Sequence, residues 1–347
     1  MSKMKMKAVA VLEKGVVRVV DDAPMPVIGE YDALVRILAC GFCNGTDLRI
    51  IDEQVTAHQL LQPYPTLLGH EAIGVIEKVG PKVRNLAPGE KHVFVRGGKT
   101  EGSRYTSTHG QMAEYGVLTD YAAMESDGEA LPASARVYQT RVPDDFDIAD
   151  GGIFLPLCEC LSAVKNFGID AGTDVLMYGA GPMGLAMMRY MHILGAKSVT
   201  VIDSVPERLQ KAREVGKADR VINFAQEDAD AALGGQLFDR VVDAVGLSSV
   251  LVSGSYHLKP FGVACSLGVL KKEDSLVNLP EVKNNTLIHM LNFPYAELER
   301  LEENMGYIQK GQINPKDFYS HVMPMADVNE AIRLVREKKT LKVILTM

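Results

Sequence analysis

Two short clusters in the first part of the chain hold the side chains best suited to chemistry. One is Cys40-Gly41-Phe42-Cys43-Asn44-Gly45-Thr46-Asp47 and the other is Gly69-His70-Glu71. Thiolate, imidazole and carboxylate together suit zinc, and a catalytic zinc takes about three protein ligands and keeps one position open. His70 and Glu71 are adjacent at the start of an apolar strand, where successive side chains point to opposite faces. Both could ligate one ion only if the backbone is irregular there; otherwise Glu71 stands behind the ligands. Cys40 makes a Cys-x-x-Cys pair with Cys43. Thiol redox pairs of that spacing go with a βαβ context, whereas this one ends a β-rich segment, so Cys40 reads as core packing.

A second constellation lies further along. Val175-Leu176-Met177-Tyr178 runs into Gly179-Ala180-Gly181-Pro182-Met183-Gly184, and the next apolar strand, Ser198 to Ile202, ends at Asp203. In this pattern Gly179 permits a tight turn, Gly181 lets a pyrophosphate approach the main chain, and Gly184 lets the following helix pack on the strand. The unpaired N–H groups at the helix start favour phosphate. A carboxylate at Asp203 can accept hydrogen bonds from the ribose hydroxyls and repels a 2′-phosphate, so NAD(H) is expected rather than NADP(H). Pro182, Met183, Arg208 and Gly246 complete the candidate cofactor-binding set. Ser204 and Glu207 read as a capping box, with Pro206 near the start of the next helix.

The elements that must position these groups fall into two styles. Before residue 150 the chain reads as short strands and turns: Met6 to Leu12, Ala33 to Ala39, Ala72 to Val79 and His92 to Val95. From about Gly151 the period changes. A helix over 155–167 is followed by strands at 175–178, 198–202, 220–222, 239–243 and 262–267, with helices at 182–194 and 205–215. Such alternation implies a parallel sheet with crossover helices. A helix over 326–336 and a last strand over 341–345 are expected to rejoin the first domain. The fold class is therefore α/β, a dinucleotide-binding domain at 151–292 and a β-rich domain from 1–150 and 293–347.

Bulk properties narrow the function. The 347 residues carry a net charge of −7, with 47% hydrophobic and 23% charged residues. No basic cluster suits nucleic acid. The apolar stretch from Val175 to Ile202 is interrupted by glycines, Arg189, His192 and Lys197, so no membrane span is expected. The basic N-terminus leads into a strand rather than a signal core, which implies the cytoplasm. Five cysteines, Cys40, Cys43, Cys158, Cys160 and Cys265, are scattered and odd in number, so a disulfide framework is not expected. His58, His92, His192, His257, His289 and His321 read as structural or surface residues, and the methionines at 183, 187, 188 and 191 as core packing. For Arg96, Arg104 and His109, exposed charge is favoured over a part in substrate or subunit contacts.

Gly41-Phe42-Cys43 with Thr46-Asp47, then Gly69-His70-Glu71 with Gly74, then the glycine fingerprint, resemble the zinc-dependent medium-chain dehydrogenase/reductase superfamily over essentially the whole chain, with the sorbitol-dehydrogenase-like branch nearest. The resemblance implies a GroES-like catalytic domain built from both chain ends, a central Rossmann domain, and a cleft between them. It maps Cys43, His70 and Glu71 onto zinc-site positions and Thr46 onto the hydroxyl that passes the substrate proton. It also implies a dimer or tetramer and a small-molecule substrate.

The chain departs from the family in several places. Three residues rather than two separate Cys43 from Asp47, which implies a bulge. Arg49 stands where many members carry a relay histidine, and arginine stays protonated. Leu155 occupies a position that is often a Cys or Glu ligand, and Glu159, one helical turn later, is the nearest replacement. The four-cysteine structural lobe is missing, so at most one zinc is expected. The expected reaction is NAD-linked, zinc-dependent oxidation of a secondary alcohol, the branch pointing to a polyol, sugar or cyclitol. The competing readings are a zinc-free quinone or enone reductase, a threonine-type amino alcohol dehydrogenase, and a cofactor-binding protein without turnover.

Overall fold

Alternation of buried and exposed positions suits the mainly antiparallel strands of the first part of the chain. In the computed structural model, which describes residues 4–55, 62–107, 109–132, 140–267, 273–274 and 276–347, β1 (Lys5–Glu13) pairs with β2 (Val16–Pro24) through a turn at Gly15. The long β3 (Asp32–Phe42) leads into a short helix, α1 (Thr46–Ile51). Then come β4 (Thr66–Leu67), β5 (Glu71–Val79), β6 (Lys91–Val93), β7 (Arg96–Gly97), β8 (Thr106–Ser107) and β9 (Tyr115–Thr119). Two short helices follow, α2 (Tyr121–Ser126) and α3 (Ile148–Gly151). One sheet runs β2-β1-β4-β8; in the other, β3 pairs with both β5 and β9. The extra residue after Cys43 forms no strand bulge. Because β3 ends at Phe42, it is absorbed in the turn that starts α1.

Residues 156–318 form a second compact unit. α4 (Phe154–Asn166) precedes β10 (Asp174–Tyr178), α5 (Pro182–Ile193), β11 (Ser198–Asp203), α6 (Pro206–Glu214), β12 (Arg220–Asn223), α7 (Ala229–Leu233), β13 (Phe238–Asp243), α8 (Ser248–Ser255), β14 (Leu258–Ser266), β15 (Leu287–Met290) and α9 (Leu301–Gln309). The six strands are parallel in the order β12-β11-β10-β13-β14-β15. Val175, Leu176 and Met177 are wholly buried, as continuous apolar runs in a sheet covered on both faces should be. Met187, Met188 and Met191 pack in the core from α5, and Cys158, Cys160 and Cys265 are buried and free. Pro206 does open α6, but the expected capping box does not form. Val205 is the N-cap and makes no side-chain cap bond, and the N–H groups of Ser204 and Val205 are taken instead by the Asp203 carboxylate.

The chain then returns to the first unit, which comprises residues 1–155 and 319–347. β16 (His321–Pro324) pairs with β17 (Val343–Thr346), and α10 (Val328–Arg336) buries Val328, Ala331, Ile332 and Val335. β17 lies antiparallel to β3, as expected, placing Leu345 opposite Cys40 and Ile344 opposite Gly41. No helix among the described residues is long and apolar enough to cross a membrane. His58 lies outside the described residues.

Charges tie together the starts of the parallel strands. Asp174 accepts from Lys197 Nζ at 2.9 Å, Lys259 Nζ at 3.0 Å and Ser198 Oγ at 2.7 Å, and Lys259 also reaches Asp239 at 2.8 Å. Burial pushes the Asp174 carboxyl up, but Lys197, Ser198 and Lys259 prevail and hold it at about 2, below the ordinary 3.8. A depressed folded-state pKa gives stability that is full above the unfolded value and is lost as pH falls through the folded one. An Asp174→Asn variant is therefore expected to lose less stability than the parent protein between pH 4 and pH 2, as measured by denaturant unfolding at each pH. Parallel loss in the two proteins would contradict this.

Candidate metal and cofactor sites

The end of β3, the start of β5 and the start of β17 meet at one place. Gly41 pairs with Glu71 on one side and Ile344 on the other. A side chain at Gly41 would put a Cβ 2.2 Å from Glu71 Oε2 and 2.2 Å from the Gly152 carbonyl oxygen, so only glycine leaves room for the carboxylate. Cys43 follows β3 directly. Its N–H donates to Asp47 Oδ2 at 2.8 Å, and its sulfur accepts from the Thr46 N–H at 3.3 Å. These local bonds fold the turn without a side-chain cap at Gly45. The extra residue is used as well, since Asn44 Nδ2 donates to the Leu341 carbonyl at 2.7 Å.

His70 precedes β5, after Gly69 in the left-handed region at φ +97°. That irregular turn answers the geometric objection to adjacent ligands. One ligand atom each from Cys43, His70 and Glu71 lies within 4.8 Å of the others. Ligand atoms around one tetrahedral zinc sit roughly 3–4 Å apart, given bonds of ~2.0–2.3 Å, so small side-chain adjustments suffice. Asp47 is fully buried, with Oδ1 3.7 Å from His70 Nδ1. That oxygen and Glu71 Oε2 are buried and accept no hydrogen bond. Burial alone would lower the His70 pKa, but the hydrogen bond to Cys43 and the charges of Asp47, Cys43 and Glu71 raise it to about 10. The cluster thus draws positive charge to itself, and its sulfur, nitrogen and oxygen donors fit zinc.

Glu71 has a partner that sequence reading missed. The Lys342 ammonium is 2.6 Å from both carboxylate oxygens, with a well-directed hydrogen bond to Oε1 only, and both side chains are almost wholly buried. The available signal was a lone lysine inside the apolar run Leu341-Lys342-Val343-Ile344-Leu345. Arg96 and Arg104 are exposed as expected, but His109 is a correction. It is half-buried, its ring centroid is 5.7 Å from that of His70, and burial together with the neighbouring His70 charge lowers its pKa to about 4. Thr46 opens α1, half-buried. Glu159 lies half-buried on α4 in the second unit and is not among the three converging side chains, while Leu155 is buried.

In the second unit, Gly179 has φ +100°, and a Cβ at Gly184 would lie 2.1 Å from the Gly179 carbonyl oxygen. A Cβ at Gly181 would meet nothing within 4 Å, so the space over the loop is open. Pro182 is at the start of α5, followed by Met183. Asp203 Oδ2 accepts from Ala180 N at 2.7 Å, and Oδ1 from Ser204 N at 2.7 Å and Val205 N at 2.9 Å. The acid therefore braces the glycine loop and keeps only part of its acceptor capacity for a ribose. Arg208 lies on the first turn of α6, and Gly246, at φ +80°, donates to Asp243 at 2.9 Å.

Removing one partner of a buried ion pair leaves an uncompensated charge, at a cost of about 3–5 kcal/mol. Lys342→Met is expected to lower the unfolding free energy of the metal-free protein by that amount, and Glu71→Gln on top of it to recover part of the loss. Chemical denaturation of the variants reads this, and unchanged stability in Lys342→Met would refute the pairing.

Two family models match the chain: an alcohol dehydrogenase GroES-like domain over residues 29–132 and a zinc-binding dehydrogenase domain over residues 182–305. The sorbitol dehydrogenase of Rattus norvegicus is 26% identical over 340 residues, covering 94% of this chain and 91% of its own. An L-threonine 3-dehydrogenase from Anaeromyxobacter sp. (strain K) is 32% identical over 220 residues, covering 61% of this chain and 60% of its own. An alcohol dehydrogenase from Escherichia coli CFT073, solved with NADH, superposes with a TM-score of 0.77 at 21% identity over 99% of this chain and 100% of that one, a likeness of fold. With two matching domains in order and relatives along its length, the chain belongs to the zinc-dependent medium-chain dehydrogenase/reductase superfamily.

Proposed function

We propose that this protein oxidises a secondary alcohol to a ketone, reversibly, with NAD as hydride acceptor and one zinc held by Cys43, His70 and Glu71. The observation that carries this reading is the convergence of those three donors in a chain that also has the dinucleotide fingerprint. When bound, zinc acts as a Lewis acid and lowers the pKa of a hydroxyl beside it. The chain's own groups do the rest. Asp47, buried behind His70, orients the imidazole and supports its basicity. The Thr46 hydroxyl takes the substrate proton and passes it outward. The loop at Gly179, Gly181, Pro182, Met183 and Gly184, with Asp203, Arg208 and Gly246, would hold NAD, which would supply the hydride acceptor. Arg49 is unsuited to relay a proton. Glu159 is a further candidate to contact the metal or its water.

The likeness to sorbitol dehydrogenases along 94% of the chain favours a polyol, sugar or cyclitol. The threonine dehydrogenase likeness covers only 61% of the chain and makes an amino alcohol the second reading. The five cysteines are free, as in a reducing compartment, which supports a cytoplasmic protein. A homo-oligomer is supported by the edge strand β15, where Leu287 (57%), Ile288 (38%) and Met290 (43%) are exposed, since bare apolar edges invite pairing.

Purified protein is expected to contain one zinc per chain by elemental analysis and to reduce NAD with members of a polyol, sugar and cyclitol panel. Cys43→Ser should lose zinc and fall to background activity while still binding NADH, as followed by fluorescence. Full activity in that variant would remove the mechanism, and turnover of threonine alone would remove the substrate class.

A further inference from the structure

A small recess beside His70 is lined by Asp47, Ile50, His70, His109 and the segment 66–69. Ile50 and Leu68 offer nothing polar. Thr66 Oγ1 donates to the Thr106 carbonyl, and Asp47 and His70 face one another at 3.7 Å. Among the described residues, the ring of His109 makes no hydrogen bond, although it is half-buried. Polar groups removed from water are normally paired with protein, water or ligand. The backbone that follows it is held in place. Gln111 N donates to the Gly69 carbonyl at 3.0 Å, Met112 N to the Leu68 carbonyl at 2.9 Å, and Ala72 N to Gln111 Oε1 at 3.0 Å. These bonds strap the residues after His109 against the segment that carries His70 and Glu71.

We propose that His109 is a specificity-determining residue, its imidazole hydrogen-bonding a hydroxyl on the carbon next to the one oxidised. The inference rests on the alcohol dehydrogenase reading of the site and narrows its substrates to alcohols with an adjacent hydroxyl. A half-buried ring nitrogen that pairs with a substrate hydroxyl favours the alcohol that carries it over an analogue that lacks it, because the ring then loses that partner. His109 is not one of the side chains that converge as metal donors, so its loss should leave the metal in place.

The test compares 1,2-propanediol with 2-propanol on the full-length, zinc-loaded enzyme. Steady-state kinetics give kcat and KM for each, and calorimetry gives their affinity for the enzyme–NADH complex, in which neither is oxidised. The parent enzyme should prefer the diol. His109→Phe, which keeps an aromatic ring, should lower the diol-to-alcohol ratio of kcat/KM ten-fold or more, mainly through KM, with a matching loss in diol affinity. His109→Asn, which keeps a donor, should retain part of the preference, and zinc content should stay at one per chain in both. An unchanged ratio in folded His109→Phe overturns this inference and leaves the dehydrogenase reading intact. Loss of zinc would make His109 a metal ligand and overturn it too. If the parent enzyme neither binds nor oxidises the diol, the inference falls; the reading of the site falls with it only if no member of the polyol, sugar and cyclitol panel reacts either.

Discussion

A buried ion pair between strands far apart in sequence organises the candidate metal site. Lys342, at the entry to the last strand, reaches across Gly41 to Glu71 at the start of β5. Isolated from water, such a pair contributes little net stability, because desolvation offsets the attraction. Its consequence is positional. Glu71 must point inward, Gly41 must have no side chain, and β17 must lie where its register with β3 puts it. Asn44 reinforces the arrangement by donating to the carbonyl of Leu341, the residue just before Lys342. The C-terminal segment is thus part of the site.

The electrostatics follow from that placement. Among the described residues, a thiol, a histidine and two buried carboxylates sit together, and Lys342 pairs with one of the acids. Two carboxylate oxygens accept no hydrogen bond, and His70 is drawn strongly towards its protonated form. A divalent cation answers that imbalance directly, since it pairs with the acids and takes the lone pairs that no donor occupies. In the second unit the balance is different. Asp203 spends much of its acceptor capacity on the loop itself, so the carboxylate expected to receive a ribose also shapes the turn over which the pyrophosphate would lie.

Much of this was legible in the sequence. The parallel strands and the helix after the glycine loop follow from apolar runs and glycine spacing, whose physical causes are local. The candidate metal donors were legible as types and as a pattern, and their convergence depended on an irregular turn at Gly69 that adjacency alone could not settle. The pairing of Lys342 with Glu71 was not legible, because it depends on which strand lies beside which. The same holds for His109, whose closeness to His70 comes from backbone bonds between residues 111–112 and 68–69. The capping box at Ser204 and Glu207 failed because the preceding residue, Asp203, takes the Ser204 N–H that Glu207 would need, a local competition that the four-residue motif leaves out.

The central claim is that one zinc binds where these donors meet. X-ray absorption at the zinc edge of the loaded protein tests it most directly. The account predicts a shell with a single sulfur at about 2.3 Å and nitrogen or oxygen neighbours at about 2.0–2.2 Å, in a protein holding one zinc per chain. A shell of four sulfurs, or one with no sulfur at all, would contradict it.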